Sequence, residues 1–278
     1  MRCVFFSGAT GGLGECCVKR LSAGGWTVFA GGTDAKRLIA LERFEHVVPV
    51  RIDVTDMESV KAARKTVLEY TDKLDAVVNF AGTAAFSSMI EGDAAELSEW
   101  LLNLNVMGTI RVNYVFFDLV EKGRGRIVNC SSSAGWMKSQ PFAGPYVLSK
   151  YAVEAYNDSL RRELMYIDVP VIKIQPGSFR TGIEGKVADG FEKVYSSTAR
   201  YEHVLRKMKP LMDSVFRRSG DPDTVARAVV KALEAKRPKR QYRVGMDPLL
   251  SLLELLPEAG VDLAYQLFFK ERHNGSSV

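Results

Sequence analysis

Near its start the chain carries an apolar run, CVFF (3–6), that turns without a break into SGATGGLG (Ser7–Gly14). This handover limits the possible folds more than any other stretch. Glycines at 8, 12 and 14 sit where a strand would pass into a helix. A turn of that kind needs glycine, because the backbone must fold tightly and let a phosphate come close. The helix that opens there offers unpaired N–H groups and a partial positive charge. Gly8, Thr10, Gly11, Gly12, Leu13 and Gly14 are therefore the candidate cradle for a pyrophosphate. Glycine spacing alone is a modest signal; its place between a first strand and a helix gives it weight.

The same alternation continues downstream. Short β-branched runs at 27–31, 47–53, 76–81, 126–131, 169–175 and 242–245 are separated by helical patterns. These patterns cover Leu13–Ala23, Met57–Tyr70, Ala94–Val120, Tyr146–Tyr166, Asp223–Ala235 and Pro248–Phe269. Several strand runs are almost wholly apolar, as in a sheet covered by helices on both faces, and an α/β fold with a parallel sheet is expected. No linker divides the chain, so residues 1–246 are expected to form one domain, with 247–278 as its helical extension. Residues 178–218 form a long irregular connection rich in aromatics and charges, expected to act as a substrate lid.

Composition removes several alternatives. A net charge of +5, from 38 basic and 33 acidic residues, is too mild for a nucleic-acid surface. The basic run KRPKR (236–240) reads as a solvated helix end. Cys3, Cys16, Cys17 and Cys130 have neither metal nor disulfide spacing and are expected to be buried free thiols. The three histidines are scattered, so no metal is expected. CVFF is too short for a signal segment, and no transmembrane stretch is present in the pattern. The cytoplasm is the expected compartment.

Chemistry concentrates in NCSSSAGWMKSQPFAGPYVLSK (Asn129–Lys150). Tyr146 and Lys150, spaced i, i+4 on a helical pattern, project from one face about a turn apart. A phenol is a poor base at neutral pH. A neighbouring ammonium and an oxidised nicotinamide both favour the phenolate. Tyr146 is then able to exchange a proton with a substrate oxygen while hydride moves to or from the nicotinamide. A serine from the preceding strand end would hold that oxygen.

With these residues in order, the chain resembles the short-chain dehydrogenase/reductase family over roughly residues 2–246. The resemblance rests on the Gly8/Gly12/Gly14 turn, DVTD (53–56), NFAG (79–82), NVMG (105–108), the serines, YVLSK (146–150) and PGSFRT (176–181). It implies a Rossmann-type doubly wound sheet, strand order 3-2-1-4-5-6-7, and an NAD(P)-dependent oxidoreductase. It further implies that Asp53 and Val54 bracket the adenine and that Asn79, Ala81 and Gly82 line the adenosine side and support the central strand. Asn105 would kink its helix and complete a catalytic tetrad with a serine, Tyr146 and Lys150, the last two also meeting the cofactor. Pro176, Gly177 and Thr181 would meet the nicotinamide carboxamide. Ser7 and Phe80 depart from the usual threonine and asparagine without removing a catalytic group. The family's local pattern selects Ser132 as the catalytic serine; spacing back from Tyr146 selects Ser133.

No acidic residue stands at the end of the second strand to read a ribose 2′-hydroxyl; Gly32 and Thr33 are there instead. With Lys36 and Arg37 following, NADP is favoured over NAD, although Asp34 opposes it. The run VFAGG, YAVEAYNDSLRREL and the long C-terminus resemble the retinol and 17β-hydroxysteroid dehydrogenase branch. That implies a bulky apolar alcohol or ketone, held by Ser132, Trp136, Met137, Phe142, Tyr146 and Phe179, in a homodimer or homotetramer. A reductase of acyl-chain or small carbonyl substrates is the alternative enzyme, and a non-catalytic dinucleotide sensor or scaffold the alternative class.

Overall fold

The first apolar run forms strand β1 (Arg2–Ser7), buried from Cys3 onward, and the computed structural model describes residues 2–269. The other strands are β2 (Trp26–Gly32), β3 (Val47–Arg51), β4 (Ala76–Asn79), β5 (Arg126–Cys130), β6 (Val171–Pro176) and β7 (Gln241–Val244). All pair in parallel, in the order β3-β2-β1-β4-β5-β6-β7. The order reverses between β1 and β4, and the carboxyl ends of these strands diverge there to leave the crevice in which such sheets bind ligands.

Adjacent phenylalanines show how the sheet is covered, since consecutive strand side chains point to opposite faces. Phe6 joins Val28 and Ile174 beneath α1 (Gly12–Ala23) and α9 (Asp223–Glu234). Phe5 joins Phe29 and Ile127 beneath α3 (Met57–Leu68) and α5 (Gly108–Lys122), stacking on Phe116 at 4.0 Å. The remaining helices are α2 (Ala35–Ala40), α4 (Ala94–Leu101), α6 (Gly144–Leu164), α7 (Ile183–Ser197), α8 (Glu202–Arg217), α10 (Pro248–Leu253) and α11 (Glu258–Phe269).

Four departures from the sequence reading have local causes. The helix expected over Ala94–Val120 is two helices joined by a π turn, Leu102–Met107, whose wider ring inserts a residue at Asn105. The helix expected over Pro248–Phe269 stops at Leu253 and restarts at Glu258, because Pro257 has no N–H to continue the ladder and biases Leu256 away from helix. The short helix α2 was not expected; Asp34 caps it by accepting from Arg37 N at 3.1 Å. Segment 178–218 is mostly helical: α7 and α8 bury Phe191 and Leu205 against Phe86 and Phe142. Phe191, Tyr195 and Tyr201 therefore belong to a small separate core. Among the described residues no helix is long and apolar enough to cross a membrane.

Candidate active site

The glycine turn leaves no room for side chains. A Cβ on Gly8, whose φ is +78°, would lie 2.4 Å from Ala81 N, and one on Gly14 would lie 2.1 Å from Gly8 O. At Gly12 it would meet Thr181 O at 2.7 Å, so the turn and the segment after β6 touch. Gly11 is the N-cap of helix α1 and supplies no side-chain cap, so the first N–H groups of the helix are left for another acceptor. Beside this turn, Gly32 packs on the Thr10 side chain. Arg37 Nη1 donates to Thr10 O at 3.2 Å, while Thr33 is exposed. Asp53 turns its carboxylate on Thr55, and Val54 fills the space over Gly108.

Helix α6 carries Tyr146 and Lys150, the pair expected to move the proton. Tyr146 is half-buried and Lys150 buried, with Lys150 Nζ 5.8 Å from the phenol ring centroid. Lys150 Nζ also donates to Cys130 O at 3.2 Å, which ties the ammonium to the end of β5. Asn105 lies in the π turn, fully buried. Its Oδ1 accepts from Thr83 N (3.0 Å), and its Nδ2 donates to Thr83 O (3.0 Å) and Ser149 Oγ (2.9 Å). Of the three serines, Ser132 caps the short 3₁₀ turn Ser133–Gly135, accepting from Ala134 N at 3.1 Å. That leaves its own hydroxyl proton available to a substrate oxygen. Ser133 is half-buried, and Ser131 is buried against Gly135 with no protein partner for Oγ.

Comparison with known proteins matches this arrangement. The family described as short chain dehydrogenase matches residues 2–191. The chain belongs to the short-chain dehydrogenase family. Retinol dehydrogenase 7 of Mus musculus is 32% identical over 279 residues, covering 91% of this chain and 83% of its own length. Human 17-beta-hydroxysteroid dehydrogenase type 6 is 37% identical over 187 residues, 65% of this chain and 57% of its own. Among solved structures, a short chain dehydrogenase/reductase from Burkholderia phymatum in complex with NAD superposes with a TM-score of 0.75 at 23% identity, covering 95% of each chain. An alcohol dehydrogenase from Thermococcus sibiricus complexed with 5-hydroxy-NADP gives 0.71 at 23%, covering 87% of this chain and 95% of its own. These likenesses show the shared fold. As a family member the chain is an oxidoreductase acting on CH–OH groups. Its glycine turn, opening a helix with no side-chain cap, fits a nicotinamide dinucleotide.

In this short-chain dehydrogenase the expected cofactor residues converge unequally. Gly177 packs on the backbone of Gly245, behind the last strand turn, and Pro176 ends buried in β6. Thr181 faces the cradle through Gly12, but its N–H and hydroxyl are held by Glu184. Gly82 is exposed, and a methyl there would sit 2.8 Å from Asn105 Oδ1. Asn79 points inward, and its amide is committed to Asn113 Oδ1 (2.7 Å) and Asn129 Oδ1 (2.9 Å), with Ser7 Oγ donating to its Oδ1. Asn129 passes the ladder to Asn157 on α6, and Tyr156 joins through Asn113. Asn79 thus supports the central strands, one of the two roles the resemblance gives it. Asn113, Asn129, Asn157 and Tyr156 were not foreseen. The available signal was asparagine inside apolar runs, which burial obliges to find partners.

The expected substrate residues divide in the same way. Trp136 and Phe142 line a cleft of about 800 Å³ with Met89, Tyr151 and Tyr265. Trp136 stacks under the Arg243 guanidinium at 3.6 Å. Met137 is buried and offers its carbonyl to Tyr151 OH at 2.7 Å. Phe179 is a correction: its ring lies in the core beneath α9, filling space left by Gly220 and Gly245, so it is used for packing. Met89, unforeseen, lies over Gly144 at the start of α6. Beside Lys150, burial pushes the Cys130 thiol up to about 11 in spite of the ammonium, so it is no nucleophile at neutral pH.

Proposed function

We propose that the protein interconverts a bulky apolar secondary alcohol and its ketone, with Tyr146 as general acid/base and NADP as the preferred dinucleotide. When bound, the dinucleotide accepts or delivers the hydride. In oxidation Tyr146 takes the hydroxyl proton as the carbinol carbon gives up hydride, and in reduction it returns that proton to the carbonyl oxygen. Ser132 donates a hydrogen bond to the same oxygen. Lys150 lends positive charge from one helical turn away, and the Cys130 carbonyl holds it in place.

The observation that carries this reading is the placement of Tyr146 and Lys150 on one face of α6, with the Lys150 ammonium fixed at the end of β5. An apolar substrate is supported by similarity to proteins named retinol dehydrogenase and 17-beta-hydroxysteroid dehydrogenase. NADP is supported by Arg37 reaching over the turn, while Asp34 is occupied as the cap of α2. Initial rates with NADPH and NADH against retinoid, steroid, acyl-chain and small ketones test the reading. Turnover confined to the small ketones would replace the substrate class. Tyr146→Phe is expected to cut turnover by about 10³-fold with dinucleotide affinity kept; retained turnover would remove Tyr146 from its role.

A further inference from the structure

Phe142 stands just ahead of α6 with φ at +61°, in the left-handed region. A bulky side chain departs there from the preferred backbone geometry, at a cost in free energy that the surroundings must offset. The residue is buried, and its carbonyl accepts from Ser87 N at 2.8 Å. Its ring stacks on Phe86, with centroids 5.6 Å and planes 16° apart, and meets Tyr201 in a T-shaped contact at 5.2 Å. Both partners belong to the small core beneath α7 and α8, where Phe86 in turn lies 5.2 Å from Phe191. Helix α6 has no side-chain bond to fix its start, because its N-cap is Ala143. Its first intrahelical bond, Val147 N to Ala143 O at 2.9 Å, follows directly on Phe142. Tyr146 is four residues beyond, or about 6 Å along the axis.

We propose that Phe142 is a positioning residue whose left-handed backbone, held by the core beneath α7 and α8, sets the entry of α6 and with it the place of Tyr146. This rests on the reading of Tyr146 as general acid/base. Glycine would adopt the conformation freely, whereas phenylalanine keeps it only while its ring and carbonyl are held. Released from those contacts, the residue would return to a negative φ and α6 would start in another direction. Tyr146 and Ser132 have to meet one substrate oxygen, and a misplacement of about 1 Å costs roughly a hundredfold in rate. The choice of phenylalanine over glycine thus makes the geometry of proton transfer conditional on the packing of α7 and α8.

The test sets substitutions that tolerate the left-handed region against others that do not. It reads kcat and KM for alcohol oxidation, dinucleotide Kd by fluorescence titration, and the thermal midpoint. Phe142→Gly and Phe142→Ala lose the ring alike, so effects of lost packing on KM and on the midpoint are shared. Only glycine takes a positive φ without cost. Phe142→Gly is therefore expected to keep a kcat about tenfold above that of Phe142→Ala. Dinucleotide Kd is expected to stay within about twofold of wild type in both. Phe142→Asn against Phe142→Thr repeats the contrast, since asparagine tolerates the left-handed region and a β-branched residue does not. That second pair decides the matter if the alanine variant does not fold. Tyr201→Ala is expected to lower kcat about tenfold in the wild-type chain and to add nothing to Phe142→Gly. Equal kcat within the pairs overturns the proposal, as does a loss from Tyr201→Ala that persists alongside Phe142→Gly. Tyr146→Phe separates the two layers. If it stays active the proton-transfer reading fails; if it is inactive while Phe142→Gly and Phe142→Ala turn over alike, only Phe142 is misassigned.

Discussion

Thr181 directs both its N–H and its hydroxyl at the Glu184 carboxylate three residues on, at 3.1 and 3.3 Å. Thr181 lies just ahead of helix α7, whose N-cap is Gly182 and whose first turn holds Glu184, and Ile183 N donates weakly to Thr181 Oγ1 at 3.4 Å. Thr181 is a residue that the resemblance places against a nicotinamide carboxamide, and both of its donors are engaged. A charged acceptor is a strong competitor for them.

Glu184→Gln keeps the side-chain length and an acceptor oxygen while weakening that competition. Dinucleotide affinity is expected to tighten by about three- to tenfold, in keeping with the roughly twofold weaker bonds of a neutral acceptor. Equilibrium fluorescence titration reads this directly. Unchanged or weaker binding would mean that Thr181 does not exchange Glu184 for the cofactor.

Arg37 reaches back over the glycine turn to Thr10 O, with the Asp34 carboxylate 3.6 Å from its Nε. Removing a guanidinium from a phosphate costs about 1.5–3 kcal/mol, or roughly ten- to a hundredfold. Arg37→Ala is accordingly expected to raise KM for NADPH by that factor and leave KM for NADH nearly unchanged. Thr33→Asp is expected to act in the same direction by repelling the 2′-phosphate. Equal losses with both dinucleotides would point to another reader of the ribose.

The Cys130 thiol ionises at about 11 in the folded chain because burial disfavours the thiolate, against an ordinary value of 9.0. Burial pushes the Cys17 thiol the same way. A folded pKa raised above the unfolded one means that the unfolded chain loses its proton first. The stability contribution is thus complete below about pH 9 and is lost as pH rises through 11. Urea midpoints are expected to fall over that window, and less steeply in Cys130→Val. An identical fall in wild type and variant would assign the alkaline loss to other groups.

Much of the sheet was legible because buried parallel strands are written as apolar runs bounded by turns. The glycine turn was legible because a close backbone approach tolerates no other residue. Tyr146 and Lys150 were legible because a spacing of four places two side chains on one helical face. The π turn at Leu102–Met107 was not, since its helical pattern looks uninterrupted and Asn105 is committed by Thr83 and Ser149, far apart in sequence. Aromatics misled in both directions. Phe179 and Phe191 are ordinary in composition, and only their neighbours show that they pack in cores.

The sequence by itself determined the fold class, the glycine turn that opens the first helix and the shared helical face of Tyr146 and Lys150, all of which depend on residues close along the chain. Only the tertiary structure decided that Asn79 turns into a buried asparagine ladder, that Glu184 occupies the donors of Thr181 and that Ser149 joins Asn105 to Tyr146. The physical reason is that a buried polar group must find a partner. Local periodicity can show that a side chain is buried, but the partner comes from whichever segment the fold brings alongside.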